Sequence, residues 1–102
     1  MGDPETIKEV VAETLVEAST TFRKDQVLAY EKAAEKENNA NARWVLERLL
    51  ENAKVAEESR KPLCNDTGIP HLYLEIGEEV TIHGKFLEMV KEGVRIGLQR
   101  LP

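Results

Sequence analysis

Apolar residues recur three and four positions apart through most of the chain before Pro62, which is the spacing of an amphipathic helix. Asp3 and Pro4 suit the start of the first helix, because an N-cap carboxylate accepts free backbone amides and proline has no amide to leave unpaired. This helix is predicted to end in the polar run at 19–21. Its expected buried stripe consists of Ile7, Val10, Val11, Thr14, Leu15 and Ala18.

Three further stretches carry the same spacing. The second helix is predicted over 24–36, the third over 41–59 and the last over 85–99. The third has the broadest apolar face, formed by Trp44, Val45, Leu46, Leu49, Leu50, Ala53 and Ala56. In the last helix the inward residues are expected to be Phe86, Met89, Val90, Val94 and Leu98.

The pattern changes after Pro62, which ends the third helix. Residues 63–70 are rich in turn formers, and residues 71–76 alternate in the way that predicts a short strand or one arm of a hairpin, with a second extended piece over 80–82. The predicted fold is therefore mainly α with a short β segment. The predicted order is three helices, a cysteine-containing loop, the strand and a further helix. One strand cannot form a sheet alone, so it must pair within a hairpin, with another copy, or with partners beyond this chain. We expect the chain to be a fragment of a larger α/β domain.

Composition narrows the function classes. The chain has 102 residues, one domain's worth, and we treat 1–102 as a single domain. Its net charge of −5, without a basic run, disfavours nucleic acid as a partner. We expect no membrane association either, because no apolar stretch approaches the roughly 20 residues needed to span a bilayer. The amino terminus shows no signal-peptide pattern, so we expect a cytoplasmic protein.

The loop from Cys64 to Gly68 carries more chemistry than a turn requires. Cys64 supplies a thiolate donor of the kind that iron–sulfur clusters use, and Asp66 supplies a carboxylate that could serve as a general base. Asn65 and Thr67 add an amide and a hydroxyl. An alternative remains open from the residues alone: a single cysteine is most often a small buried apolar residue, and Asn-Asp-Thr-Gly is a good turn sequence without function.

Residues 62–68 read Pro-Leu-Cys-Asn-Asp-Thr-Gly. This heptapeptide resembles the Pro-Leu-Cys-Gln-Asp-Thr-Gly signature of the class I fumarate hydratase and L(+)-tartrate dehydratase alpha-subunit family. The context is similar too, since several helices precede the motif, and Gly93-Val94-Arg95 lies in a later helix as the family's Gly-Val-Arg does. The likeness extends over nearly the whole chain and implies the amino-terminal part of such a subunit.

The resemblance implies a hydro-lyase that adds or removes water in a dicarboxylic hydroxy acid, fumarate/malate or tartrate. It implies a 4Fe–4S cluster held by three cysteines, of which Cys64 matches the first. The other two are absent here, so the chain alone is expected to be inactive and to bind no cluster. Asp66 is implied as a catalytic residue, and Asn65, Asp66 and Thr67 are implied to contact substrate. Asn65 stands where the family usually has Gln, with the same amide on a side chain one methylene shorter.

The expected partners are the remainder of the alpha subunit, a beta subunit or both, with homo-oligomer formation as an alternative. Two other functions compete. A small dimeric aspartic protease shares the Asp-Thr-Gly triplet of 66–68, but such proteins are nearly all strand. A non-catalytic helical interaction module is the second, and it differs in having no companion segment that supplies further cysteines.

Overall fold

The computed structural model describes residues 3–64, 68–82 and 84–102. Over these residues it contains the helices α1 (Pro4–Thr20), α2 (Lys24–Lys36), α3 (Ala40–Ser59) and α4 (Phe86–Arg100). The prediction of three helices before Pro62 and one after Lys85 is confirmed, with the ends within one residue of those expected.

Local sequence explains where α3 begins and ends. The Asn39 side chain caps its start by accepting a hydrogen bond from the Ala42 amide at 3.0 Å. At its other end Arg60 takes a left-handed conformation (φ 54°), and the Lys61 amide donates to the Ala56 carbonyl at 3.1 Å. This closure satisfies one of the last helical carbonyls and turns the chain back toward α1 before Pro62.

The prediction of a short β segment over 71–76 is wrong. No strand occurs within 3–64, 68–82 or 84–102, and residues 68–76 have no regular secondary structure. Alternation of apolar and polar residues gives an extended segment two different faces. A β-strand forms only when a neighbouring strand pairs with the backbone amides and carbonyls of that segment. No such ladder forms here, and the side chains of this segment are exposed, with Tyr73 89% accessible. The mainly-α part of the predicted fold class fits the structure, and the short β segment is the part that fails.

The best-packed part of the molecule is the pair formed by α1 and α4. Ala12, Val16 and Thr20 are buried on one line of α1, and Phe86, Val90, Gly93 and Gly97 are buried on α4. Gly93 lies against Lys8 and Val11, whereas Gly97 lies against Ala12 and Leu15. Contacts therefore advance along both helices together, so the two run in the same direction. The buried line on α1 is not the predicted stripe, which lies on a neighbouring face.

The hairpin of α2 and α3 is packed more loosely. None of the residues of α2, all of which the structure describes, is buried, and α3 buries only Ala53 and Ala56. A stack of Phe22 on Tyr30, with ring centroids 5.5 Å apart, holds the start of α2. Trp44, Val45 and Leu49 belong to the broad apolar face predicted for α3, and all three are exposed.

The overall dimensions show how open this arrangement is. The molecule measures 55 × 31 × 20 Å, and its radius of gyration is 17.6 Å, against about 13 Å for a compact domain of this length. Its accessible surface is 8056 Å², whereas a compact monomer of 11.5 kDa exposes about 5,800 Å². None of the helices described is long and apolar enough to cross a membrane.

Candidate functional site

The segment from Arg60 to Cys64, here called the connector, is tied to two helices. The Leu63 amide donates to the Ser19 carbonyl near the end of α1 at 2.9 Å. The Leu63 carbonyl accepts from the side-chain amide of Asn52 on α3 at 2.7 Å. Arg60 also forms an ion pair with Glu13 of α1. The residue before Cys64 is thus held on both sides, which fixes where the thiol-bearing residue lies.

Cys64 lies at the rim of a cavity of about 560 Å³. One wall of the cavity is α1, and the other is the connector end together with residues that follow Gly68. The α1 wall consists of Val10, Val11, Thr14, Leu15, Ala18 and Ser19, which includes nearly all of the stripe predicted for α1. That stripe lines the cavity, and two of its members, Val11 and Leu15, also contact Gly93 and Gly97 of α4, so α1 presents apolar side chains both to the cavity and to α4.

The cavity wall offers few polar groups. The hydroxyl of Thr14 donates to the Val10 carbonyl at 2.6 Å, and that of Ser19 donates to the Leu15 carbonyl at 2.9 Å. His71 and Tyr73 are the ionisable side chains besides Cys64 among the lining residues that the structure describes, and these include no lysine or arginine. A dicarboxylate placed here would have its charges unpaired, which is costly away from water. The described lining residues therefore offer no lysine or arginine to such a ligand.

The structure tests only part of the predicted site. Cys64 is exposed at the cavity rim. Asn65, Asp66 and Thr67 lie outside the described residues, so their proposed roles stay predictions. Gly68, the next described residue, has φ 69°, a conformation that glycine adopts without strain.

The donor set fits one ligand of a metal cluster and no more. Cys64 is the only cysteine of the chain. Over 3–64, 68–82 and 84–102, no group of three or more His, Cys, Asp or Glu side chains could hold a metal ion. A thiolate at the rim of an apolar cavity suits an iron–sulfur cluster, and the remaining ligands would have to come from outside this chain.

Sequence reasoning missed Asn52. Asparagine is a poor residue for a helix interior, because its side chain competes for backbone groups nearby. Its position near the middle of α3, two turns before the helix ends, was a usable signal that the side chain has a partner outside the helix.

An ion-pair network links the middle of α1 to the last residue of α4. The two terminal guanidinium nitrogens of Arg100, Nη1 and Nη2, donate to the Glu9 carboxylate at 2.9 and 2.7 Å. Nη1 also lies 3.4 Å from Glu13, which pairs with Arg60. The hydrogen bond from Arg100 lowers the pKa of Glu9, and the same bond raises the pKa of Arg100. Through Glu13 the network connects the α1–α4 pair to the connector.

Comparison with known proteins agrees with the motif. The sequence pattern of the family described as fumarate hydratase (Fumerase) matches residues 8–102. The chain is 37% identical over 98 residues to a putative L(+)-tartrate dehydratase subunit alpha of Methanocaldococcus jannaschii, covering 94% of this chain and 34% of that protein. It is 36% identical over 73 residues to a putative fumarate hydratase class I of Geobacillus stearothermophilus, covering 71% of this chain and 14% of that protein. The chain therefore spans about a third or less of the length of these relatives.

Proposed function

Because the chain belongs to the fumarate hydratase (Fumerase) family, we propose that it is the amino-terminal part of an iron–sulfur-dependent hydro-lyase acting on a dicarboxylic hydroxy acid. The observation that carries this proposal is the position of the Pro-Leu-Cys motif, which two helices hold at the rim of an apolar cavity. The names of the two relatives point to fumarate/malate or tartrate as the substrate.

In this proposal Cys64 is one of three cluster ligands. A bound 4Fe–4S cluster would supply a Lewis-acidic iron that makes hydroxide a better leaving group. Asp66 would move the proton, as acid or base, because its carboxylate follows the ligand by two residues. Asn65 and Thr67 would donate hydrogen bonds to the substrate. The apolar wall of α1 would exclude water from one side of the site.

The partners in this proposal are the remainder of the alpha subunit, a beta subunit or both. Three features support an incomplete unit. The accessible surface exceeds that of a compact monomer by about 2,300 Å², on the scale of a large interface. The cavity wall lacks cations for a dicarboxylate among its described residues, and the chain has a single thiol. Self-association would cover apolar surface but would leave the missing cations unexplained.

The functional test uses the complete enzyme that contains this chain. Cys64→Ser should abolish cluster binding and hydro-lyase turnover, because a hydroxyl is a harder and far less acidic ligand than a thiol. Asp66→Asn should keep the cluster but lower turnover by about 100-fold or more, the usual scale for losing a positioned acid or base. Iron content, visible absorption and turnover of fumarate and of tartrate are the measurements.

Two results would count against the proposal. A Cys64→Ser enzyme with a full cluster would remove Cys64 from the ligand set. An Asp66→Asn enzyme with normal turnover would leave Asp66 as a turn residue. Ser59→Ala, which removes a hydroxyl that donates to the Val55 carbonyl at the end of α3, serves as the control and should change neither property.

The chain alone gives a separate check. One thiolate does not hold a cluster that needs three, so the purified chain should carry a reduced Cys64 and no iron. Stoichiometric iron with a broad band near about 400 nm would contradict this expectation. Such a result would mean that several copies of the chain assemble the site together.

A further inference from the structure

We infer that Asn52 is a positioning residue for Cys64. Its side-chain amide orients the peptide group that carries the cysteine, and it is not itself a ligand. An effect of Asn52 on cluster binding rests on the proposed function, in which Cys64 is a cluster ligand. The positioning of Cys64 by Asn52 is a property of the chain alone.

The argument begins with the Leu63 carbonyl, which belongs to the peptide group joining Leu63 to Cys64. The peptide group is planar, so its oxygen lies in one plane with the nitrogen and Cα of the following residue. Asn52 donates to that oxygen at 2.7 Å. Fixing the oxygen therefore restricts rotation of the plane from which the Cys64 side chain projects.

A second hydrogen bond makes this restriction effective. The amide of Leu63 is held by the Ser19 carbonyl of α1 at 2.9 Å, so the two peptide groups that flank the Leu63 Cα are each anchored to a different helix. One bond alone would leave rotation about the Leu63 backbone free. With both in place, the direction in which the chain enters the cysteine loop is set by the packing of α1 and α3.

The chemistry of the side chain is specific. The Leu63 oxygen can only accept, so the partner must donate. Aspartate has the same shape as asparagine but, when ionised, has no hydrogen to give and would repel the carbonyl. Alanine removes the group altogether. The residue that spans the gap between α3 and the connector is thus restricted to a short donor, which explains an asparagine inside a helix.

The first experiment uses the full 102-residue chain and site-resolved amide hydrogen exchange by NMR. In Asn52→Ala the Leu63 amide should exchange about fivefold faster than in the unmodified chain, because losing one such bond loosens the connector by roughly that factor. Asn52→Asp should be at least as fast at neutral pH. Asn41→Ala, on the exposed first turn of the same helix, is the matched control and should leave Leu63 unchanged.

The isosteric variant separates positioning from packing. If Asn52 only filled space, Asn52→Asp would keep the protection of Leu63 at its original level, and that result would overturn the inference. Unchanged exchange in Asn52→Ala would overturn it as well. Faster exchange in both variants, with amides buried between α1 and α4 unaffected, would support it.

The second experiment uses the complete enzyme and follows iron release to a chelator. Asn52→Ala should speed release by about tenfold or more, the scale on which residues that orient a metal ligand affect metal retention. Normal retention despite a loosened connector would reject the metal-related part of the inference. Failure of the proposed function is distinguishable, because Cys64→Ser would then keep its iron while the exchange result for Leu63 still stood.

Discussion

The α1–α4 pair and the α2–α3 hairpin are built from helices of similar length, yet they bury very different amounts of side chain. In the pair, two glycines let the backbones approach until no Cβ would fit: one built on Gly93 would lie 2.6 Å from the Val11 Cβ. In the hairpin, α2 buries nothing, and Trp44 on α3 is 60% exposed. The α1–α4 pair buries its contact faces within this chain, whereas the α2–α3 hairpin leaves most of its apolar side chains exposed.

The difference in burial separates the part of the molecule that is packed within this chain from the part that leaves apolar side chains exposed. The pair, the connector and the network around Glu13 form one connected unit that holds Cys64 in place. The hairpin and residues 68–82 present apolar side chains to solvent in amounts that a stable monomer seldom leaves exposed. Cys64 is thus positioned by α1 of the helix pair together with Asn52 of the hairpin, and it lies beside apolar surface that is exposed in this chain.

The largest expected effect is at the glycine contact. Gly93→Ala would place a methyl group against the Val11 side chain and 2.8 Å from the Lys8 carbonyl, and the backbone cannot easily yield. We expect the free energy of unfolding to fall by about 3 kcal/mol, the upper range for overpacking. Gly84→Ala is the matched control, because nothing lies within 4 Å of its added carbon. Denaturant unfolding measures both, and equal stability would show that the helices are not in tight contact.

A matched pair of valines compares the two regions directly. Val16 is 2% exposed between α1 and α4, whereas Val55 on α3 is 55% exposed. Val16→Ala should cost about 2 kcal/mol through lost burial and the cavity left behind. Val55→Ala should change stability by less than about 0.5 kcal/mol. Equal losses, measured by denaturant unfolding of the chain, would mean that the hairpin is as well packed as the pair.

The sequence predicted the helices well, because capping residues and helical spacing act locally. Pro4 in the first turn of α1 and Pro62 after α3 mark the helix ends through proline's missing amide and fixed backbone angle. The Asp3 side chain, predicted to cap α1, makes no capping hydrogen bond in the structure. The failed strand over 71–76 had the right composition, but pairing depends on a neighbour that local pattern cannot supply. Which apolar residues are buried was also predicted poorly, since α1 and α3 each carry more than one apolar face.

The cysteine motif of the candidate site could be predicted from the sequence. The hydrogen bonds that hold the residue before Cys64 could not. Cys64 stands out by residue type and by resemblance. The bonds that position it are made to the preceding residue, Leu63, by Asn52 and Ser19, which lie eleven and forty-four residues before Leu63 in the chain. Such contacts depend on how α1 and α3 pack, which no periodicity within either helix determines.

Trp44 tests whether the hairpin is a docking surface. In the chain alone, Trp44→Ala should change the free energy of unfolding by less than about 0.5 kcal/mol, because the Trp44 ring is exposed. The Arg48 guanidinium carbon lies over this ring, 5.6 Å from its centroid. In the complete enzyme the same substitution should weaken association by about 2 kcal/mol, as removal of a buried aromatic anchor does. Titration of subunit association measures this. If Trp44→Ala changed neither the stability of the chain nor the association of the complete enzyme by more than about 0.5 kcal/mol, Trp44 would be exposed to solvent in the complete enzyme too.

The smallest effect concerns the pH dependence of the α1–α4 pair. Arg100 lowers the pKa of Glu9, so this ion pair stabilises the folded chain above the ordinary pKa of a glutamate, and the contribution is lost as the pH falls through the lowered value. The raised pKa of Arg100 stabilises the fold below the ordinary arginine value and is lost only in strong alkali, outside the range of the assay. Arg100→Gln should therefore make stability fall less steeply between about pH 5 and pH 3, measured by denaturant unfolding.

Some acid sensitivity should remain in that variant, since Arg95 lowers the pKa of Glu92 within α4 in the same way. Lys54→Gln, on the exposed side of α3, removes one positive charge elsewhere and should leave the slope unchanged. Both Glu9 and Arg100 are at the surface, so salt should screen the contribution, and about 0.5 M sodium chloride should bring the unmodified chain toward the Arg100→Gln profile. Identical profiles at low salt would mean that the network fixes geometry near Glu13 without adding stability to the helix pair.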